Sequence, residues 1–288
     1  MIKRLSYFIY KVLWFIDFIL NKITGRKLLI WFSEFIENDS YREIIVLKKK
    51  LIFFSPNYIT NLLVDHFFTK EPETLEWIDC FKNENKVIFW DIGANIGIYS
   101  IYAAIKHPNI LVVSFEPSTS NLRLLSRNIS INGLEERIII NQFPLSNVEN
   151  KYLLFKEEKF VEGVACHTWG EDFNFEGKTL NPNNNYKIYG TTIDYILDNK
   201  ILTLPDYIKI DVDGIEHLIL KGASKYLLDT HLKSLSIEIN ENFKEQMETV
   251  FKIMKESNFK LKYKKRNENY SDYKTIKYLK IYNYIFER

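Results

Sequence analysis

Cysteine is scarce in this 288-residue chain: Cys80 and Cys166 are its two examples, too few and too far apart for a zinc cluster or a disulfide framework. A reducing, cytoplasmic compartment is the expectation that follows. Excess charge of either sign is missing too, with 39 basic against 37 acidic residues, so composition gives no support to binding of nucleic acid phosphate. The five histidines, His66, His107, His167, His217 and His231, include no pair at metal-ligand spacing. An uninterrupted apolar run of about twenty residues, the length a spanning helix needs, is also lacking. The greasiest stretch, 1–27, is broken by Lys11 and Asp17, and no small-residue cleavage site follows it as a secretory signal requires. That segment is expected to be retained and not to span a membrane.

What is present suffices for a full core: 46% of residues are hydrophobic and 15% aromatic, enough for one large domain with an appendage. Residues 2–24 are expected to form an amphipathic helix. At about 100° per residue, Lys3, Arg4, Ser6, Lys11, Asp17, Asn21 and Lys22 share one arc, and Leu5, Phe8, Ile9, Val12, Ile16, Ile19 and Ile23 the other. Tyr7, Tyr10, Trp14 and Phe18 lie on the polar arc, so the helix is greasy on both sides. Packing on its own domain or on a dimer mate is weighed ahead of peripheral contact with the inner membrane face. Residues 28–80 read as mainly helical, with a short hairpin around Ile44–Phe54 and no evident chemistry. The expected organisation is an N-terminal helical extension over 1–80 and a main domain over 81–288, with the polar Lys82-Asn83-Glu84-Asn85 at the boundary.

Lys86-Val-Ile-Phe-Trp-Asp91-Ile-Gly93-Ala94-Asn95-Ile-Gly97 reads as a buried strand ending in an acid and a glycine turn, with a helix over Ile98–Ile105. A dinucleotide fingerprint places glycine at the first, third and sixth positions, which here hold Gly93, Asn95 and Ile98. The Gly-x-Gly-x-Gly turn of class I methyltransferases asks for the first, third and fifth, Gly93, Asn95 and Gly97, with an acid two residues before. An ordinary strand-to-helix turn would need the glycines for geometry alone. The linked signal is Ile110–Phe115, a second buried strand ending in Glu116-Pro117, close to the separation of about twenty residues at which an acid meets a ribose.

A helix over Ser118–Asn132 with Gly133 at its C-cap, a third strand over Arg137–Asn141 and a further strand over Lys151–Lys156 follow. Residues 157–190 form a long polar insertion, read as a substrate loop or a disordered surface excursion. Its neighbouring Cys166 and His167 do not by themselves make a catalytic pair. Thr192 caps a helix; Pro205–Asp211 is the fourth strand, Leu235–Asn240 the fifth, Phe243–Ser257 a helix, and Lys260–Lys264 with Tyr278–Phe286 a closing antiparallel pair.

Asp-Ile-Gly-Ala-Asn-Ile-Gly, Phe-Glu-Pro, Thr-Thr-Ile-Asp and Ile-Lys-Ile-Asp-Val-Asp-Gly-Ile-Glu, in this order over residues 86–240, resemble the FkbM family of S-adenosylmethionine-dependent methyltransferases. Asp213 departs from the family, where Glu is frequent. The resemblance implies an α/β fold of the class I methyltransferase (Rossmann-like) kind, a mainly parallel seven-stranded sheet with helices on both faces. It also implies S-adenosyl-L-methionine as cofactor and O-methylation of a sugar or other small molecule, hence a role in carbohydrate modification.

In such sheets ligands bind at the carboxyl ends of the strands, so Asp91, Glu116, Asp211, Asp213 and Glu238 are expected to converge. Asp91, Gly93, Ala94, Asn95, Gly97, Glu116 and Pro117 are the expected cofactor residues, with Glu116 on the ribose diol and Asp91 behind the turn and the methionine amine. Asp211, Glu238 and Asp213 are the expected catalytic residues, the first two as candidate bases. A divalent metal on the Asp-x-Asp pair ranks below a metal-free site. Glu216 is expected to sit in a first helical turn. The competing readings are a nicotinamide-dependent oxidoreductase and a non-catalytic membrane-surface protein.

Overall fold

Two helices, α1 (Ile2–Thr24) and α2 (Leu29–Asn38), and a hairpin, β1 (Tyr41–Val46) with β2 (Lys49–Phe54), open the chain. In the computed structural model, which describes residues 1–82, 84–180, 182, 184–266 and 280–288, these are followed by α3 (Tyr58–Asp65) and α4 (Pro72–Asp79). Then come β3 (Val87–Ile92), α5 (Ile98–Lys106), β4 (Ile110–Phe115), α6 (Thr119–Ile131) and β5 (Ile138–Asn141). The insertion contributes β6 (Lys151–Glu157), β7 (His167–Trp169) and β8 (Asn184–Gly190). The chain closes with α7 (Ile193–Asp198), β9 (Tyr207–Ile210), α8 (Glu216–Lys221), β10 (Ser234–Asn240), α9 (Lys244–Glu256), β11 (Lys260–Lys265) and β12 (Ile281–Glu287).

The central sheet has seven strands in the order β11-β12-β10-β9-β3-β4-β5. Neighbours from β10 to β5 run parallel, and β12 runs antiparallel to both β10 and β11. This is the expected α/β architecture. Residues 278 and 279, at the start of the last expected strand, lie outside the described residues. In β3, Val87 and Phe89 enter one core layer while Ile88, Trp90 and Ile92 enter the other, which is why the strand reads as a continuous apolar run. From β3 the chain builds outward through β4 to β5, then returns to β9 on the other side, so the switch point lies between β3 and β9.

The expected boundary at residue 80 has no counterpart in the core. Phe53, Phe54, Trp77, Ile78 and Phe81 pack in the same buried cluster as Phe89, Ala103 and Leu124. The hairpin turns at Leu47 and Lys48, both left-handed at φ 50° and 64°, as a two-residue turn matched to strand twist requires. Residues 1–40 place no side chain in either core cluster. Helix α1 therefore adds nothing to the core of the domain. Its one buried residue is Asp17, which accepts from the backbone N–H groups of Leu28 and Leu29 and so caps α2.

Where a loose excursion is one expectation for the insertion, its described residues form strands. β6, read as a lone further strand, is the middle of an antiparallel sheet in the order β7-β6-β8. Behind the polar composition of β8 lies a period of two: Asn184, Tyr186, Ile188 and Gly190 turn inward. Gly190 sits against the Trp169 ring, where a Cβ would come within 2.5 Å of the indole.

Candidate active site

The turn after β3 carries three left-handed residues: Gly93 at φ 89°, Asn95 at 50° and Gly97 at 91°. Asparagine tolerates this region better than other residues with a Cβ, which accounts for its place between the two glycines. Gly93 has a second constraint, since a Cβ there would lie 1.9 Å from the Asp211 carbonyl oxygen. The N–H groups of Gly93 and Ala94 both donate to the Phe115 carbonyl at 3.0 Å, fastening the turn to the end of β4.

A cavity of about 270 Å³ opens at the carboxyl ends of β3, β4, β9 and β10, across the switch point. Gly93, Ala94, Asn95, Glu116 and Pro117 line it, together with all three expected catalytic residues, Asp211, Asp213 and Glu238. Asp91 and Gly97 do not. Gly97 precedes α5, and Asp91 is fully buried beneath the turn, accepting from the Ser100 hydroxyl at 2.6 Å. Burial raises the Asp91 pKa despite the charge of Lys209.

Glu116 Oε2 accepts from the Asn95 N–H and Oε1 from the Ser118 N–H, both at 2.8 Å. Burial pushes its pKa up to about 8 against the pull of these N–H groups. Each carboxylate oxygen has room for a second donor. Asn95 Oδ1 is buried with no hydrogen-bond partner among the described residues. An acceptor pair for vicinal hydroxyls beside an unsatisfied amide oxygen fits the ribose and amino groups of S-adenosylmethionine.

The opposite wall is held by charge. Lys209, 1% exposed within β9, reaches Asp211 Oδ2 at 2.5 Å and lies 4.9 Å from the centre of the Tyr99 ring. Burial favours the neutral amine, but Asp211, Glu71 and Asp91 outweigh it and hold Lys209 protonated well above the usual lysine range. Glu71, also buried, bonds Lys70 at 2.8 Å. Its burial penalty is overcome by Lys70 and Lys209, which bring its pKa down to about 2. Burial and the charge of Asp211 raise Asp213 to about 6, and burial with Asp211 and Asp213 raises Glu238 well above the carboxylate range. Glu216 starts α8 as expected, buried, and accepts from Val212 N–H at 3.0 Å and Gly214 N–H at 3.1 Å, which shapes the acid-bearing loop.

The insertion roofs the cavity with Val164, Cys166, His167, Thr168 and Trp169. Asp213 Oδ2 accepts from the Cys166 N–H at 2.7 Å, and Asn121 bonds both Gly163 N–H at 2.8 Å and Val164 carbonyl at 3.2 Å. His167 Nε2 is turned to the Val164 carbonyl at 3.0 Å. Arg123 stands between Glu162 of the roof at 3.0 Å and Glu37 of α2 at 2.7 Å. Among the described residues no group of three or more His, Cys, Asp or Glu could hold a metal ion. Lys70, Tyr99, Asn121 and Lys209 are absent from the sequence-based site. Lys209 alone had a signal there, as a lysine inside the apolar Tyr207-Ile-Lys-Ile210, because a charge in a strand buried on both faces must be paired.

Residues 91–264 match the model of the methyltransferase FkbM domain. Methyltransferase sdnD of Sordaria araneosa is 26% identical over 187 residues, 58% of this chain and 72% of that protein. Among solved structures, precorrin-6y C5,15-methyltransferase of Geobacter metallireducens is similar at 12% identity and a TM-score of 0.43, over 75% of this chain and 86% of the other. The Methanococcus jannaschii fibrillarin pre-rRNA processing protein gives 13% and 0.43, over 86% and 82%. With the domain match running through the glycine turn, Glu116, the acid-bearing loop and Glu238, the chain belongs to the FkbM family of S-adenosylmethionine-dependent methyltransferases.

Proposed function

We propose that this chain methylates a hydroxyl group of a sugar, a glycolipid or another small-molecule acceptor. The observation that carries the reading is the sharing of one cavity by Glu116 and the glycine turn on one side and Asp211, Asp213 and Glu238 on the other. When bound, S-adenosylmethionine supplies an electrophilic methyl group; a hydroxyl attacking it must give up its proton. Glu238 is the assigned proton acceptor, because burial and its acidic neighbours raise its basicity. Lys209 holds Asp211 beside it, and Asp213 ties down the roof through Cys166. Phe143, Phe155 and Trp169 offer apolar walls against which a sugar ring can stack.

The test is transfer of labelled methyl from S-adenosylmethionine to a panel of nucleotide sugars and glycolipids, after calorimetric titration with S-adenosylmethionine, its demethylated product and NAD. Labelled sugar hydroxyls are the expected result, unaffected by chelator. Label that appears only on nitrogen or carbon acceptors would reject the acceptor class, and tighter binding of NAD than of either sulfur ligand would reject the cofactor.

A further inference from the structure

Of the large hydrophobic side chains that stand exposed among the described residues, most lie in the first 36 positions. The outward arc of α1 is the one expected to be apolar: Phe8 is 66% exposed and Ile23 75%, and Leu5, Val12, Ile16 and Ile19 are exposed with them. Helix α2 adds Ile30, Trp31, Phe35 and Ile36. Such a patch on a folded chain marks a surface that something covers.

Charge decides between the candidates. Residues 1–27 carry six exposed cations, Lys3, Arg4, Lys11, Lys22, Arg26 and Lys27, and one acid, Asp17, which is buried in the cap of α2. The acids of α2 are Glu34 and Glu37, with Asp39 following, and Glu37 is taken by Arg123 and Arg127. Two copies pairing along α1 would set Lys3 and Arg4 against themselves in a parallel arrangement, or against Lys22, Arg26 and Lys27 in an antiparallel one. Either arrangement gathers like charge around the apolar seam. Anionic headgroups meet the same cations with opposite charge. Tyr7, Tyr10, Trp14 and Trp31, each exposed, have the apolar body and polar edge that suit the headgroup boundary. Lys11 lies over Tyr7 and Trp14 at 5.4 and 5.5 Å, its stem along the rings. No helix of the described residues is long and apolar enough to cross a membrane, so the helix would lie in the plane.

We infer that the α1–α2 pair docks this chain on an anionic lipid bilayer, with α1 lying along the headgroup boundary. The inference is independent of the acceptor's identity. The experiment is flotation of the full chain with phosphatidylcholine vesicles, with and without phosphatidylglycerol, at low and high salt. Binding is expected to the anionic vesicles, weakened by salt, and lower by about fivefold for each basic residue removed in a series of Lys3, Arg4, Lys22, Arg26 and Lys27→Gln variants. Phe8→Ser with Phe15→Ser should lower it at either salt concentration. Unchanged calorimetric binding of S-adenosylmethionine in each variant controls for folding. Equal flotation with neutral vesicles, or none with either, overturns the inference. So does a concentration-dependent dimer, measured by sedimentation, that the Phe8 and Phe15 substitutions dissociate in a chain that does not float.

Discussion

The two walls of the cavity are made of different material. On the proposed cofactor side, backbone N–H groups and left-handed turns from one short stretch, Gly93–Gly97, meet a single side chain, Glu116. On the proposed acceptor side, Lys209, Asp211, Asp213 and Glu238 come from β9, β10 and the loop after β9, Glu71 comes from the start of α4, and the group is held by charge. A backbone-built wall depends on few residue identities and tolerates little movement. A charge-built wall depends on balance, so removing one member exposes the rest to an uncompensated field.

The largest effect should come from breaking that balance. Lys209→Met leaves Asp211, Asp91 and Glu71 without their shared buried cation and is expected to cost about 3–5 kcal/mol in denaturant unfolding; an unchanged midpoint would remove charge as the organising element of that wall. Glu238→Gln keeps the shape and removes proton acceptance, so turnover should fall about 10²–10⁴-fold while calorimetric cofactor affinity stays put. A variant with full turnover would show that the acceptor loses its proton elsewhere.

The cofactor wall is probed through Glu116. Glu116→Ala should weaken cofactor binding by about 1.5–3 kcal/mol in a folded protein. Because the Glu116 pKa in the free protein is pushed up to about 8, a ribose that needs the ionised carboxylate should bind more tightly as pH rises from 6 to 8, by up to about tenfold per unit. Glu116→Gln should flatten that slope, and a wild-type affinity independent of pH would separate Glu116 from the diol. Stability runs the other way. Glu116 at about 8, Glu216 at about 7 and Asp213 at about 6 are raised, so their contribution is full below the ordinary carboxylate range and lost as pH climbs through these values. Glu71, lowered to about 2, contributes above that range and loses its share only in strong acid. The cofactor-free protein should therefore melt highest near pH 5 and lower at pH 8.

The smallest effect, outside both walls, is a control. Thr192 accepts from the Tyr195 N–H at 3.0 Å to cap α7, and Thr192→Ala should cost about 1 kcal/mol with turnover per folded molecule unchanged.

The same contrast explains what can be read without coordinates. A turn that needs positive φ at fixed positions leaves a contiguous trace, Gly93, Asn95, Gly97, and strands buried on both faces leave apolar runs, so the strands of the central sheet and the turn after β3 are legible, while the strand order is not. Lys70 and Tyr99 carry no such trace, because what brings them to the cavity is packing between α4, α5 and the sheet, and neighbours in space need no pattern in sequence. Asparagine and lysine on outward positions hide the β7-β6-β8 sheet, whereas α1 is legible as a helix and only what covers it is not. Asp91, which ends the strand, reads from the sequence as a support behind the turn and for the methionine amine. Its side chain belongs to the layer of Phe89 and is spent on Ser100 under the floor.

Gly93 and the Asp211 carbonyl, too close for any side chain between them, also act as a gauge. They put the glycine turn and the loop that carries the acids back to back, at a spacing set by one main-chain oxygen and one missing carbon. No exchange of cavity side chains alters that spacing. On the proposed reading, retuning the enzyme toward a larger or smaller acceptor is a matter of recutting the roof, Val164 to Trp169, while the reach from donor to proposed base is left alone.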